Sequence, residues 1–177
     1  MKRCLDVRWI SVLIIAAVFS QSAFGGRSRL KKYFSSDKLL VASILTIESD
    51  TGVDAESKLE FRDGKGRLLG GKSFISKDHT HGLGVIKAQW TFDSNFFVFS
   101  TIASGGQQPG HFPTFFYSKL DNKIHVLDTF MGGWITSPEY QLEFPDGISV
   151  TVRGRLPNGK IADTLLRSVN LGQLEEK

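Results

Sequence analysis

The chain has 177 residues, 41% of them apolar, and a formal net charge of +4. That length suits one domain whose core can outweigh its chain entropy. The near-balanced charge excludes the broad basic footprint of a nucleic-acid binder. The lone cysteine, Cys4, lies before the first apolar run, which excludes a disulfide framework and a thiolate nucleophile in the rest of the chain.

Residues 1–25 read as a secretory signal peptide. Lys2, Arg3 and Arg8 outnumber Asp6, Trp9 to Phe19 is apolar apart from Ser11, and Ala23-Phe24-Gly25 places small residues where a signal peptidase accepts them. The apolar run is far shorter than the ~20 residues of a membrane helix, so no stable span is expected after processing. A periplasmic or secreted address follows. Because Cys4 precedes the run, it is not placed for lipid attachment at a mature N-terminus. Residues 26–37 then form a flexible basic N-terminus carrying Arg27, Arg29, Lys31 and Lys32, and residues 38–177 form a single β domain.

Strand chemistry dominates from Leu39 onward, with β-branched and aromatic residues alternating at period two between turn dipeptides. Leu39 to Glu48 comes first. Ser57 to Arg62 and Arg67 to Ile75 flank Asp63-Gly64, two residues that tolerate the positive φ of a tight hairpin. Val85 to Phe92 and Phe96 to Ala103 flank Asp93-Ser94-Asn95, and Thr114 to Lys119 and Ile124 to Leu127 flank Asp121-Asn122. Leu142 to Phe144 and Ile148 to Arg153 flank Pro145-Asp146-Gly147, and Asn158-Gly159 leads to Leu165 to Leu171. Only Ile161 to Leu174 also fits a helix, so the expected fold is all-β: an antiparallel meander forming a sandwich or barrel, with at most one short C-terminal helix. Leu59 to Gly64 and Leu142 to Gly147 both read LEFxDG, which we take as convergent hairpin chemistry.

Trp90-Thr91-Phe92-Asp93-Ser94, Phe96 to Ser100 and Phe116-Tyr117 together resemble one β-propeller-type blade, of the kind found in WD-repeat and related bacterial propellers. The resemblance spans Trp90 to Asp128. No second copy of the tryptophan turn occurs, and Phe92 stands where the blades carry proline. What the resemblance implies is binding rather than catalysis, in a small exported protein.

Three segments are chemically suggestive. His79-Thr80-His81 is a candidate zinc or copper pair, since residues i and i+2 share a face wherever the chain is a strand, although the pair falls in the turn-like stretch Ser76 to Gly84; His111, Asp78, Asp93 or Asp128 would complete the set. The loop Ser104 to His111 joins glycines to Gln107, Gln108 and His111, with Phe112 and Tyr117 as stacking surface beside it. Phe130-Met131-Gly132-Gly133-Trp134 is either a buried plug, the reading its composition favours, or an exposed recognition surface built on Trp134. Gly-x-Ser-x-Gly is absent, no carboxylate pair is nominated by spacing, and Ser28 and Ser35 match Ser-x-x-Lys without its companion motifs. The expected function is therefore a module that binds a protein or small-molecule ligand of the cell envelope, with a metal-dependent enzyme built on the histidines as the alternative.

Overall fold

The alternating runs resolve into twelve strands among the residues described by the computed structural model, which are 27–48, 55–106, 110–155 and 161–174. The proposed signal peptide, Gln107, Gln108 and the Asn158-Gly159 turn lie outside them. The strands form three antiparallel sheets that follow chain order. The first contains β1 (Ser28–Phe34), β2 (Leu40–Glu48), β3 (Ala55–Asp63) and β4 (Leu68–Ser73). The second contains β5 (Leu83–Trp90), β6 (Phe96–Ala103), β7 (Thr114–Ser118) and β8 (Ile124–Val126). One helix, α1 (Leu127–Met131), leads to the third: β9 (Trp134–Ile135), β10 (Gln141–Glu143), β11 (Gly147–Arg155) and β12 (Ile161–Asn170).

The second sheet is the middle layer, and its sequence says why. Phe96 to Phe99 and Thr114 to Tyr117 are nearly continuous apolar runs, the mark of strands covered on both faces. Phe97, Phe99, Phe115 and Tyr117 pack with Leu40, Ile44, Leu59 and Phe61 of the first sheet. Phe96, Val98 and Phe116 point the other way, onto Ile135, Ile148, Val150 and Val152 of the third. The blade-like segment Trp90 to Asp128 thus falls on a four-stranded meander in chain order, between two other four-stranded sheets. The all-β antiparallel expectation holds, in sandwiched form rather than as a closed barrel among the described residues. The segment read as strand or helix, Ile161 to Leu174, is a strand followed by a 3-10 turn at Leu171–Leu174.

Residues 28–34, expected to be flexible, form β1 instead. Their charges conceal the strand pattern, but Tyr33 supplies the anchors: its ring meets Phe97 edge-on at 5.5 Å, and its carbonyl accepts a 3.0 Å bond from Trp90 Nε1. Arg29 pairs with Glu48 at 3.0 Å across the ladder. At the hairpin that follows, the Ser35 hydroxyl and the Leu39 N–H bond the Asp37 carboxylate and hold its pKa down at about 2, with Lys119 of the second sheet adding its charge at 3.0 Å.

The two LEFxDG copies sit at hairpins of different sheets with opposite burial. Phe61 is fully buried and stacked on Tyr117, whereas Phe144 is 83% exposed. Among the described residues no helix is long and apolar enough to cross a membrane.

Candidate functional site

The apolar loop after α1 builds the site. Gly132 ends the helix in the left-handed region, φ 64°, a cap that glycine adopts without a Cβ penalty. A Cβ on Gly133 would lie 2.7 Å from Val152 Cγ1 and 2.8 Å from the Arg153 carbonyl oxygen, so only glycine lets the chain press onto β11. The chain returns as β9, with Ile135 opposite Val152 and Trp134 opposite Arg153. Alternation then decides the outcome: Ile135 enters the core at 0% exposure, and Trp134 faces outward at 59%. The favoured buried-plug reading of Trp134 is overturned because the pleat allows only one of two neighbours inside. Phe130 is also partly open, at 39%, leaning on Phe116. Gly133→Ala is expected to lower stability by about 1–3 kcal/mol through overpacking, read as a shift of the urea midpoint with unchanged m.

His111 is held beside this indole. Phe112 N–H donates to the Ile135 carbonyl at 2.8 Å, which lays residues 111–113 along β9. The two rings stack at 5.2 Å between centroids and 19° between planes. Asp128, in the first turn of α1, fixes the arrangement. Its Oδ1 lies 2.8 Å from His111 Nε2 and accepts the Ile135 N–H at 3.1 Å, while its Oδ2 accepts the Thr114 N–H at 3.0 Å. One carboxylate thus ties together the loop, β7 and β9. Trp134 and His111 form an aromatic platform with an exposed Arg153 on the same sheet face, and Leu166, 72% exposed, lies on that face on the neighbouring strand.

The other predicted site residues are dispersed. Tyr117 is a core residue at 0% exposure; its ring stacks on Phe61 at 3.8 Å and its hydroxyl bonds Asn122 at 2.7 Å, so it does not join the platform. Phe112 is half-buried next to His111. Gln107 and Gln108 lie outside the described residues. His79 and His81 lie in the loop between β4 and β5, in keeping with their turn-like setting, and with His79 at φ 57° they do not share a strand face. His79 faces Glu56 at 3.9 Å, His81 bonds Asp78 at 2.5 Å, and His111 bonds Asp128. Three histidines thus engage three different carboxylates, and no three His, Cys, Asp or Glu side chains among the described residues form a metal-holding group.

Sequence reasoning missed Glu56. It is 1% exposed at the start of β3 and accepts four hydrogen bonds: from Ser76 N–H at 2.8 Å, Ser76 Oγ at 2.7 Å, Gly82 N–H at 2.6 Å and Ser104 Oγ at 2.9 Å. Burial pushes its pKa up, but the four donors outweigh burial and leave it below the ordinary glutamate value. It is a structural clamp that holds the histidine loop against the sheets. It also fixes Ser104, where the glycine-rich loop begins. Set in the ordinary polar alternation of a strand, Ala55-Glu56-Ser57-Lys58-Leu59-Glu60, Glu56 carries no motif by which sequence would expose it.

Away from the platform, a cleft of about 450 Å³ opens between the β5–β6 and β7–β8 turns and the β10–β11 turn. Its polar groups are committed locally. Asp93 bonds Thr91 and Asn95, Asp146 accepts the Gly172 N–H at 2.9 Å, and Lys119 pairs with Asp37.

No family model matches the chain, and no curated protein matches it. The fold is similar to that in a 2.70 Å crystal structure of a Clostridium novyi NT protein provisionally described as a conserved lipoprotein. The TM-score is 0.47 and the identity 10%, covering 82% of this chain and 95% of that one.

Proposed function

We propose that the protein is a binding module of the cell envelope whose recognition surface is the His111–Trp134 platform, and that its partner is a peptide segment presenting a planar side chain near an acidic one. One observation carries this: an indole 59% exposed to solvent stacked on an imidazole whose position is set by Asp128. A large exposed tryptophan on a rigid strand is the residue type and setting of a binding hot spot, because its ring is ordered before the partner arrives. Stacking selects planar groups, and Arg153 on the same face favours a carboxylate beside them. The envelope address rests on the signal-like pattern of residues 1–25. We read the His111–Asp128 pair as positional, since the same carboxylate also accepts the Thr114 and Ile135 N–H groups and so ties the loop to β7 and β9.

The test is to pan a random peptide display library against the protein and measure the recovered peptides on the wild type and on Trp134→Ala. Loss of a hot spot worth about 2 kcal/mol corresponds to about 30-fold weaker binding. Peptides held equally by both proteins, or no recovery at submillimolar affinity, would contradict the proposal.

A further inference from the structure

The outer face of the third sheet can be read position by position, because the β11–β12 ladder is regular from Gly147 opposite Asn170 to Arg153 opposite Thr164. Val150 and Val152 fill the core, so Thr151 and Arg153 face outward. Their cross-strand partners on β12, Leu166 and Thr164, share that face, and Trp134 stands opposite Arg153 from the other side. Trp134, Arg153 and Thr164 therefore form one row across three strands, and Leu166 stands beside Thr151 in the next. With strands about 4.8 Å apart and same-face residues about 6.8 Å apart along a strand, Leu166 lies about 12 Å from Trp134, on a diagonal that runs between Arg153 and Thr151. Trp134 and Leu166, 59% and 72% exposed, are the large apolar side chains of this face among the described residues. Between them the floor is short, Thr151 and Thr164, and beyond Leu166 the Ser149 and Ser168 hydroxyls bond each other at 2.6 Å. Arg153 is exposed and makes no ion pair among the described residues.

We propose that this diagonal receives an extended peptide segment with a planar residue at position i, an acidic residue at i+2 and an aliphatic residue at i+4, counted in either chain direction. The proposal rests on the platform's being a peptide site, and adds to it a conformation, a spacing and a third contact. In an extended chain, residues i, i+2 and i+4 point to one side and i and i+4 are about 13 Å apart, close to the Trp134–Leu166 separation. A planar side chain stacked on Trp134 and His111 thus sets an aliphatic one over Leu166. The residue midway comes down over the threonine floor beside Arg153, where a carboxylate meets the guanidinium and a lysine or arginine would meet a like charge. Leu166 is the specificity-determining residue for the third position, since covering its exposed side chain rewards an apolar partner and not a polar one.

Panning a peptide display library with a tyrosine fixed at its centre and the flanking positions randomised tests this, on the wild type and on Leu166→Ala, Arg153→Ala and Trp134→Ala. Peptides recovered on the wild type are expected to carry an acidic residue two positions from the tyrosine and leucine, isoleucine or valine four positions away on the same side. Leu166→Ala changes a side chain outside the core, so its circular dichroism spectrum should match the wild type while it binds the recovered peptides about tenfold more weakly. Panned itself, it should lose the aliphatic preference and keep the acidic one, and Arg153→Ala should do the reverse. Binding that needs Trp134 but shows no preference at those positions, follows a helical spacing of three or four and seven, or is indifferent to Leu166→Ala would overturn this inference and leave the platform standing. Recovery of no peptide, or binding indifferent to Trp134→Ala, would overturn both.

Discussion

Glu56→Ala is expected to cost about 3–5 kcal/mol of stability, roughly 10 °C in Tm, the largest effect of any single polar substitution in the molecule. The carboxylate is 1% exposed and satisfies four donors on three residues, so its removal leaves Ser76, Gly82 and Ser104 without this acceptor. Glu56→Gln should recover only part of the loss, because its amide nitrogen turns a donor towards N–H and O–H groups that need acceptors. The same site has a pH signature. The folded-state pKa lies below the unfolded value of about 4.3, so the charged form contributes stability above that pH and the contribution is lost as pH falls through the folded pKa. Urea titrations of the wild type and Glu56→Gln are therefore expected to differ most at pH 7 and to draw together only as the pH falls below the unfolded value of about 4.3. An equal gap at both pH values would mean the charge is not what holds the loop.

Asp128→Ala is expected to cost about 2–4 kcal/mol, since Thr114 and Ile135 lose the acceptor of their backbone N–H groups at a side chain only 13% exposed. The second consequence is functional. Loss of the Asp128 bond removes an anchor of the His111 ring beside Trp134, and binding at the platform should weaken although Trp134 itself is unchanged. Asp128→Asn is a milder change: it keeps one carbonyl acceptor for the backbone N–H groups and replaces the other oxygen by an NH2 donor, so stability should fall less than in Asp128→Ala. A variant folded below its melting range that binds the selected peptides as the wild type does would show that Asp128 is purely structural.

Much of the architecture was legible because it rests on local chemistry. Asp63-Gly64, Asp93-Ser94-Asn95, Asp121-Asn122 and Pro145-Asp146-Gly147 all fall at turns between paired strands, and Phe96 to Ala103 forms one strand over those residues. β1 escaped because its side chains are largely exposed and basic; what makes it a strand is its pairing with β2 and the anchoring of Tyr33, both long-range. α1 escaped because five residues of helix leave too little periodicity to read. At the site, the aromatic loop and His111 were visible, but their juxtaposition depends on β9 lying along residues 111–113 and on Asp128 reaching three partners. Tyr117 was misplaced among the binding residues because alternation along β7 sends residues 115 and 117 into one core and 116 into the other. The turn-like setting of His79 and His81 was visible, but not that each histidine faces its own carboxylate, His79 with Glu56, His81 with Asp78 and His111 with Asp128, because those partners are set by how the loops fold back.

The most direct measurement is an NMR titration of the ¹⁵N-labelled protein with a peptide selected on it, following backbone amides and the Trp134 indole N–H. Shifts should concentrate at Trp134, His111, Phe112 and Gly133 and extend to Arg153. Shifts confined to the cleft around Asp93, Lys119 and Asp146, with the Trp134 indole unmoved, would show that recognition happens elsewhere.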